Sequence, residues 1–214
     1  MKKVLCYIGI CIVLVLFSSC YRAQAFEYNR SATNEKSNQE VSIAASVNGE
    51  NIYVYQLDLV VNQLSYGEMS HMEILTNTIN ELVVIQEAER FGISLSEDEV
   101  VQIMYSYQSM FPEIFEDAIE IFGYEGFAFG LKQRNLYTMT RDFIINNEII
   151  PNIEISDDIL LNHLRNIGME DIDLNDETYY YVENHFINYT VEIEFVRIVN
   201  ELYQSADIVY FIEN

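Results

Sequence analysis

Val47-Asn48-Gly49-Glu50-Asn51-Ile52 is the stretch of this 214-residue chain from which the fold is read. Residues 41–47 alternate weakly and carry enough β-branched side chains for a strand. Asn48 and Gly49 both tolerate positive φ, which marks a tight turn. A helical period follows at once. Leu57, Val60, Val61 and Leu64 share one face, so a helix is predicted over residues 54–64.

Helix signals then repeat down the chain. Ser70-His71-Met72-Glu73 fits the capping box and predicts a helix to about residue 91, with Ile74, Leu75, Thr78, Ile79, Leu82, Ile85 and Ala88 as its apolar stripe. Gly92 stops it, and Ser96-Glu97-Asp98-Glu99 is a second capping box, opening a helix with Val100, Val101, Met104 and Tyr107 inward. Pro112 ends that helix or starts the next. Residues 113–122 form a short amphipathic stretch that Gly123 breaks, and a long helix is predicted from about 125 to 148, terminated by Pro151. Ser156 caps a short helix to about 166. Residues 168–176 read as an acidic loop, 177–204 as a final helix and 207–212 as a strand.

The order V-N-G-x-x-I, helices, then Gly92-Ile93-Ser94-Leu95-Ser96-Glu97-Asp98-Glu99-Val100 resembles the N-terminal domain of SurA/PrsA-type extracytoplasmic chaperones. The resemblance covers about residues 41–165, and Ala206-Asp207-Ile208-Val209-Tyr210 looks like that family's returning strand. It implies a mainly α fold, a SurA N-terminal-like helical domain over residues 41–214 with a core in 41–165 and a closing helix and strand in 166–214. It also implies a small two-stranded ribbon in which residues 41–47 pair with 208–212. A two-stranded ribbon is marginal alone and needs a helix layer beneath it. Members of the family often carry a parvulin prolyl-isomerase domain with a sheet and a pair of histidines. Only a short segment separates Pro151 from the final helix here, and His163 and His185 sit in helical stretches with no companion Cys or Asp pattern. The expectation is a parvulin-less member that is not an enzyme.

The front of the chain reads as an address. Met1-Lys2-Lys3 is a positive start, and residues 4–17 form an apolar run too short for a comfortable membrane span. Leu16-Phe17-Ser18-Ser19-Cys20 resembles the bacterial lipobox, with Phe17 where Leu is usual. On that reading residues 1–25 are a leader region and Cys20 is the lipidation site. Cleavage after Ala23-Gln24-Ala25, giving a secreted form, and an uncleaved anchor are the alternatives. Each places the body outside the membrane. Two or three acyl chains anchor stably where one does not. Residues 26–40 are polar and aperiodic, a flexible tether.

Composition removes other classes. Thirty-four acidic against 11 basic side chains give a formal net charge of −23, which argues against nucleic acid and against an anionic lipid surface as partners. The three cysteines are Cys6, Cys11 and Cys20, so the body holds no thiol for a disulfide, a zinc site or a nucleophile. Asp171, Asp173 and Asn175 fit the first EF-hand positions. Asp176 stands where Gly is required and Val182 where Glu is, so the loop reads as solvated and no metal is expected. Glu81, Glu87 and Glu89 read as solvating charges on a polar helix face. No cofactor motif is present.

The remaining functional signal is aromatic. Tyr105, Tyr107, Met110, Phe111, Phe115, Phe122, Phe127 and Phe129 crowd a 25-residue window, with Met69 and Met72 assigned to the same face. They either pack a core or line a cradle for unfolded or exported polypeptides, since aromatic rings give large contact area and methionine adapts to varied shapes. The two functional expectations are a membrane-tethered chaperone-like binder and an envelope adaptor with one dedicated partner. Exposure of the rings separates core from cradle. The oligomeric state is not legible.

Overall fold

The computed structural model describes residues 42–54, 57, 70–169, 171–172 and 174–212. Cys20, the tether, Met69 and most of the helix expected over 54–64 lie outside them. The elements are β1 (Ile43–Val47), β2 (Glu50–Tyr53), α1 (His71–Arg90), α2 (Glu97–Met110), α3 (Pro112–Ile144), a π turn (Ile145–Ile149), a 3-10 turn (Ile150–Asn152), α4 (Asp157–Asn166), α5 (Asp176–Ser205) and β3 (Ile208–Tyr210). They fall into two compact units. The first runs to Thr140 and resumes at Leu202; the second is Arg141–Glu201.

The sheet of the first unit has three antiparallel strands, in the order β2-β1-β3. The expected pairing of the two distant strands is present, with Ala45 opposite Tyr210 and Val47 opposite Ile208. The two-stranded ribbon is corrected to three strands, because Glu50–Tyr53 turns back on β1 before any helix starts. Asn48 (φ 51°) and Gly49 (φ 85°) form the two-residue link, which matches the twist of the strands it joins. A bulge between Ile43 and Ala45 breaks the alternation, and Ala44 and Ala45 are both buried.

Asn48 does more than turn the chain. Its backbone N–H donates to Asp207 O and its side-chain oxygen accepts from Asp207 N–H, each at 2.8 Å. Its amide Nδ2 donates to Gln86 of α1 at 2.7 Å, and Gln86 Nε2 donates to Val47 O and to Glu50. One side chain thus ties the hairpin to α1 and to the segment entering β3. The layer beneath the sheet is α1. Ile74, Leu75, Ile79, Leu82 and Val83 bury against Ala44, Ala45, Val47, Ile52 and Leu57, with Leu202, Tyr203 and Ile208 from the chain's end packed alongside.

Both capping boxes form. Ser70 and Glu73 exchange backbone and side-chain bonds at 2.7 and 3.2 Å, and Ser96 and Glu99 do so at 2.8 and 3.3 Å. The end of α1 is a Schellman motif: Ile93 N–H donates to Ala88 O and Gly92 N–H to Glu89 O. Position 92 needs φ +70°, which a side chain would strain. Pro112 starts α3, and the backbone leaves the helical region at Gly123 (φ 70°, ψ 167°), as the sequence indicated.

The second unit contains α4 and most of α5. Ser156 caps α4, and Asn175 accepts from Glu177 N–H and Thr178 N–H to cap α5. Asn175 is therefore a helix cap rather than part of an ion loop. Leu160, Leu164 and Val182 form this unit's core with Ile167, Ile172, Leu174, Tyr179 and Phe186 around them.

Candidate polypeptide-binding surface

The aromatic window divides between interior and surface. Phe127 is fully buried. Phe115 and Met104 are buried with it, and Ile103, Tyr107, Ile119 and Phe122 pack around them. Phe127 meets Phe115 edge-on at 5.5 Å and Tyr107 at 5.5 Å, while Tyr107 meets Phe111 at 5.3 Å. This ring cluster joins α2 to α3. Phe115 and Phe127 are corrected from client contacts to core, because the Gly123 break folds α3 back over them. Tyr107, Phe111, Phe122 and Phe129 are half-buried. The Tyr107 hydroxyl is shielded with no hydrogen-bond partner, and burial pushes its pKa up. Tyr105 and Met110 stay on the surface at 60 and 63% exposure, together with Ile121 and Tyr124. Met72 packs against the sheet core rather than beside the rings, a second correction.

A cleft of about 660 Å³, unforeseen from any sequence pattern, lies elsewhere in the first unit. Its walls are the Asn48 turn, the last two turns of α1 with the Gly92 joint, and α3. Ile85, Ala88, Ile93, Leu95 and Leu136 contribute apolar surface. Glu50, Glu87 and Glu89 contribute carboxylates and Lys132 a cationic side chain. Burial pushes the Glu50 carboxyl above its ordinary value and the Glu89 charge adds to this, while the bond from Gln86 works against it. A cationic side chain entering the cleft relieves that crowding. Glu87 is also paired with Arg90.

No protein-family model and no curated protein matches this sequence.

Two other groups differ from their expected surroundings. Glu81 was assigned to a solvated face. Its Oε2 is shielded from solvent without a hydrogen-bond partner, and burial raises its pKa to about 7 against the opposing pull of Arg134. His163 and His185 were read as isolated. His163 Nε2 lies 2.9 Å from His185 Nδ1, joining α4 to α5. Position 163 falls on the same helical face as Leu160 and Leu164, which was the available hint. Among the described residues no group of three or more metal-ligating side chains gathers, and no helix is long and apolar enough to cross a membrane.

Proposed function

We propose that this protein is a membrane-tethered, extracytoplasmic chaperone-like binder of unfolded or exported polypeptides, acting without prolyl-isomerase chemistry. The observation that carries this reading is the cleft beside the Asn48 turn, whose lining brings apolar side chains and carboxylates together. An extended client contributes aliphatic side chains to Ile85, Ile93 and Leu136 and lysine or arginine to Glu50 and Glu89. Apolar burial stabilises by about 25 cal/mol per Å² and is non-directional, so binding tolerates many sequences and each contact releases readily. The exposed Tyr105 and Met110 offer further apolar contact. The net charge of −23 favours basic clients and keeps a loaded complex soluble.

The test is suppression of aggregation of a reduced, unfolded, lysine-rich client. The protein is expected to suppress aggregation at several-fold molar excess, and Glu89→Lys to weaken binding about five-fold, the scale of an exposed charge contact. No suppression by the unsubstituted chain rejects the proposal, and accelerated proline-limited refolding rejects its non-enzymatic part. In this reading Cys20 is acylated and holds the body at the membrane. Intact-mass measurement of the mature chain is expected to show a lipidated N-terminal Cys20, and an N-terminus at Phe26 would replace the anchored form with a secreted one.

One observation favours the adaptor alternative. Tyr181, Tyr189, Ile193 and Val196 recur at helical spacing on α5 and are all about half exposed or more. A single stoichiometric partner in a pull-down, with no effect on aggregation, supports a dedicated contact along this stripe.

A further inference from the structure

We infer that the His163–His185 pair is a proton-operated latch within residues Arg141–Glu201, holding α4 against α5 at neutral pH and releasing it in acid. The latch sits where α4 is most dependent on support. This helix has ten residues, too few to be stable alone, and its buried positions are Leu160, His163 and Leu164. The His163 ring is 5% exposed. It is held by Phe186 at 5.3 Å and 69°, by Tyr189 at 5.3 Å and 51°, and by the 2.9 Å contact with His185.

A ring-to-ring bond of this kind needs one nitrogen carrying hydrogen and one carrying a lone pair. Two neutral rings supply that, and so does a pair sharing one extra proton. With both rings charged, both facing nitrogens carry hydrogen. The bond is then lost and two cations stand in contact.

The groups facing His163 from α5 are His185 and Tyr189. Burial lowers the His163 pKa and the His185 charge lowers it further. The charged residues of α4 itself, Asp157, Asp158 and Arg165, are exposed, as is Asp171 in the following loop. Glu183 of α5 is half-buried. A base held below its ordinary pKa contributes full stability above that ordinary value of about 6.5 and loses it as pH falls toward the lowered one. Release of α4 therefore takes up protons. It uncovers Leu160, Leu164 and Val182, an apolar face that neutral pH keeps closed.

Amide hydrogen exchange of α4, corrected for the intrinsic pH dependence of exchange, tests the latch in the intact chain at about pH 7.5 and about pH 5. Protection of α4 is expected to fall at least about ten-fold in acid, while α1 keeps its protection. His163→Phe keeps a ring between Phe186 and Tyr189 and is expected to abolish the difference; His185→Asn keeps a neutral hydrogen-bonding group and is expected to reduce it, because His163 stays buried. Equal protection of α4 at the two pH values in the unsubstituted chain overturns the latch, whatever the variants do. An undiminished acid response in either variant overturns it as well, since the protons then act elsewhere.

Discussion

Phe127→Ala is expected to lower the stability of the first unit by about 4 kcal/mol, read from the urea midpoint of the chain. Phe127 is fully buried and touches both Phe115 and Tyr107, so its ring cannot be removed without leaving a cavity between α2 and α3. Large-to-small changes at such positions lose both the transfer free energy of the ring and the contacts of the atoms lining the void. Tyr105→Ser, two residues from Tyr107 on the same helix, is expected to change stability by no more than about 0.5 kcal/mol, because Tyr105 is 60% exposed. The contrast separates rings that hold the fold from rings left on the surface, which the proposed function would use to meet a client. A Phe127→Ala chain of undiminished stability that had lost client binding would return that ring to the binding surface.

Glu81→Gln is expected to stabilise the first unit by about 3 kcal/mol at about pH 8 and to have little effect near about pH 4.5. The cause is the shielded carboxyl oxygen on α1 that has no hydrogen-bond partner. Its pKa of about 7 in the folded chain lies above the ordinary 4.5, so the folded state holds a proton that the unfolded state has released. That contribution is fully present below the ordinary value and is lost as pH rises through about 7. Glutamine copies the protonated shape at every pH and removes the loss. Urea midpoints at the two pH values measure the difference; a variant no more stable than the parent at the higher pH shows that Glu81 ionises without cost. His163 moves in the opposite sense, since its lowered pKa makes acid destabilising. The two units are thus expected to respond to pH in opposite directions, each through one buried group.

The parts of this structure legible in the sequence are those whose signals close over a few residues. Ser70 with Glu73, and Ser96 with Glu99, satisfy each other's backbone groups three positions apart, so the pattern and its outcome are both local. The stop at Gly92 and the break at Gly123 follow from backbone conformations that a side chain resists. The pairing of β1 with β3 came from the resemblance rather than from local pattern. β2 was missed although Asn48-Gly49 between Val47 and Ile52 is a hairpin signal, because Glu50–Tyr53 is only four residues long, too short for its alternation to stand out before the helical period that starts at Val54.

The candidate sites were less legible. The ring window was recognised, but which rings face inward depends on how α3 returns over α2, and that is a tertiary outcome. The cleft requires the turn, the joint and α3 to be placed together, and no one stretch encodes it. Glu81 reads as surface by type and His163 as isolated by spacing. Their neighbours, Arg134 and His185, come from other helices, which periodicity alone cannot supply.

The place of β1 at the centre of the sheet sets a timetable. Ribosomes deliver the chain from its N-terminus, so the middle strand is made before either flanking strand, and one of the two follows only after residues 141–201. In the interval residues 141–201 can gather around their own core, leaving β1 with a bare edge that residues 208–210 cover later. A product that stops short of Asp207 forfeits that cover and the clasp with Asn48 in one stroke, so closure of the sheet waits on residues 207–210.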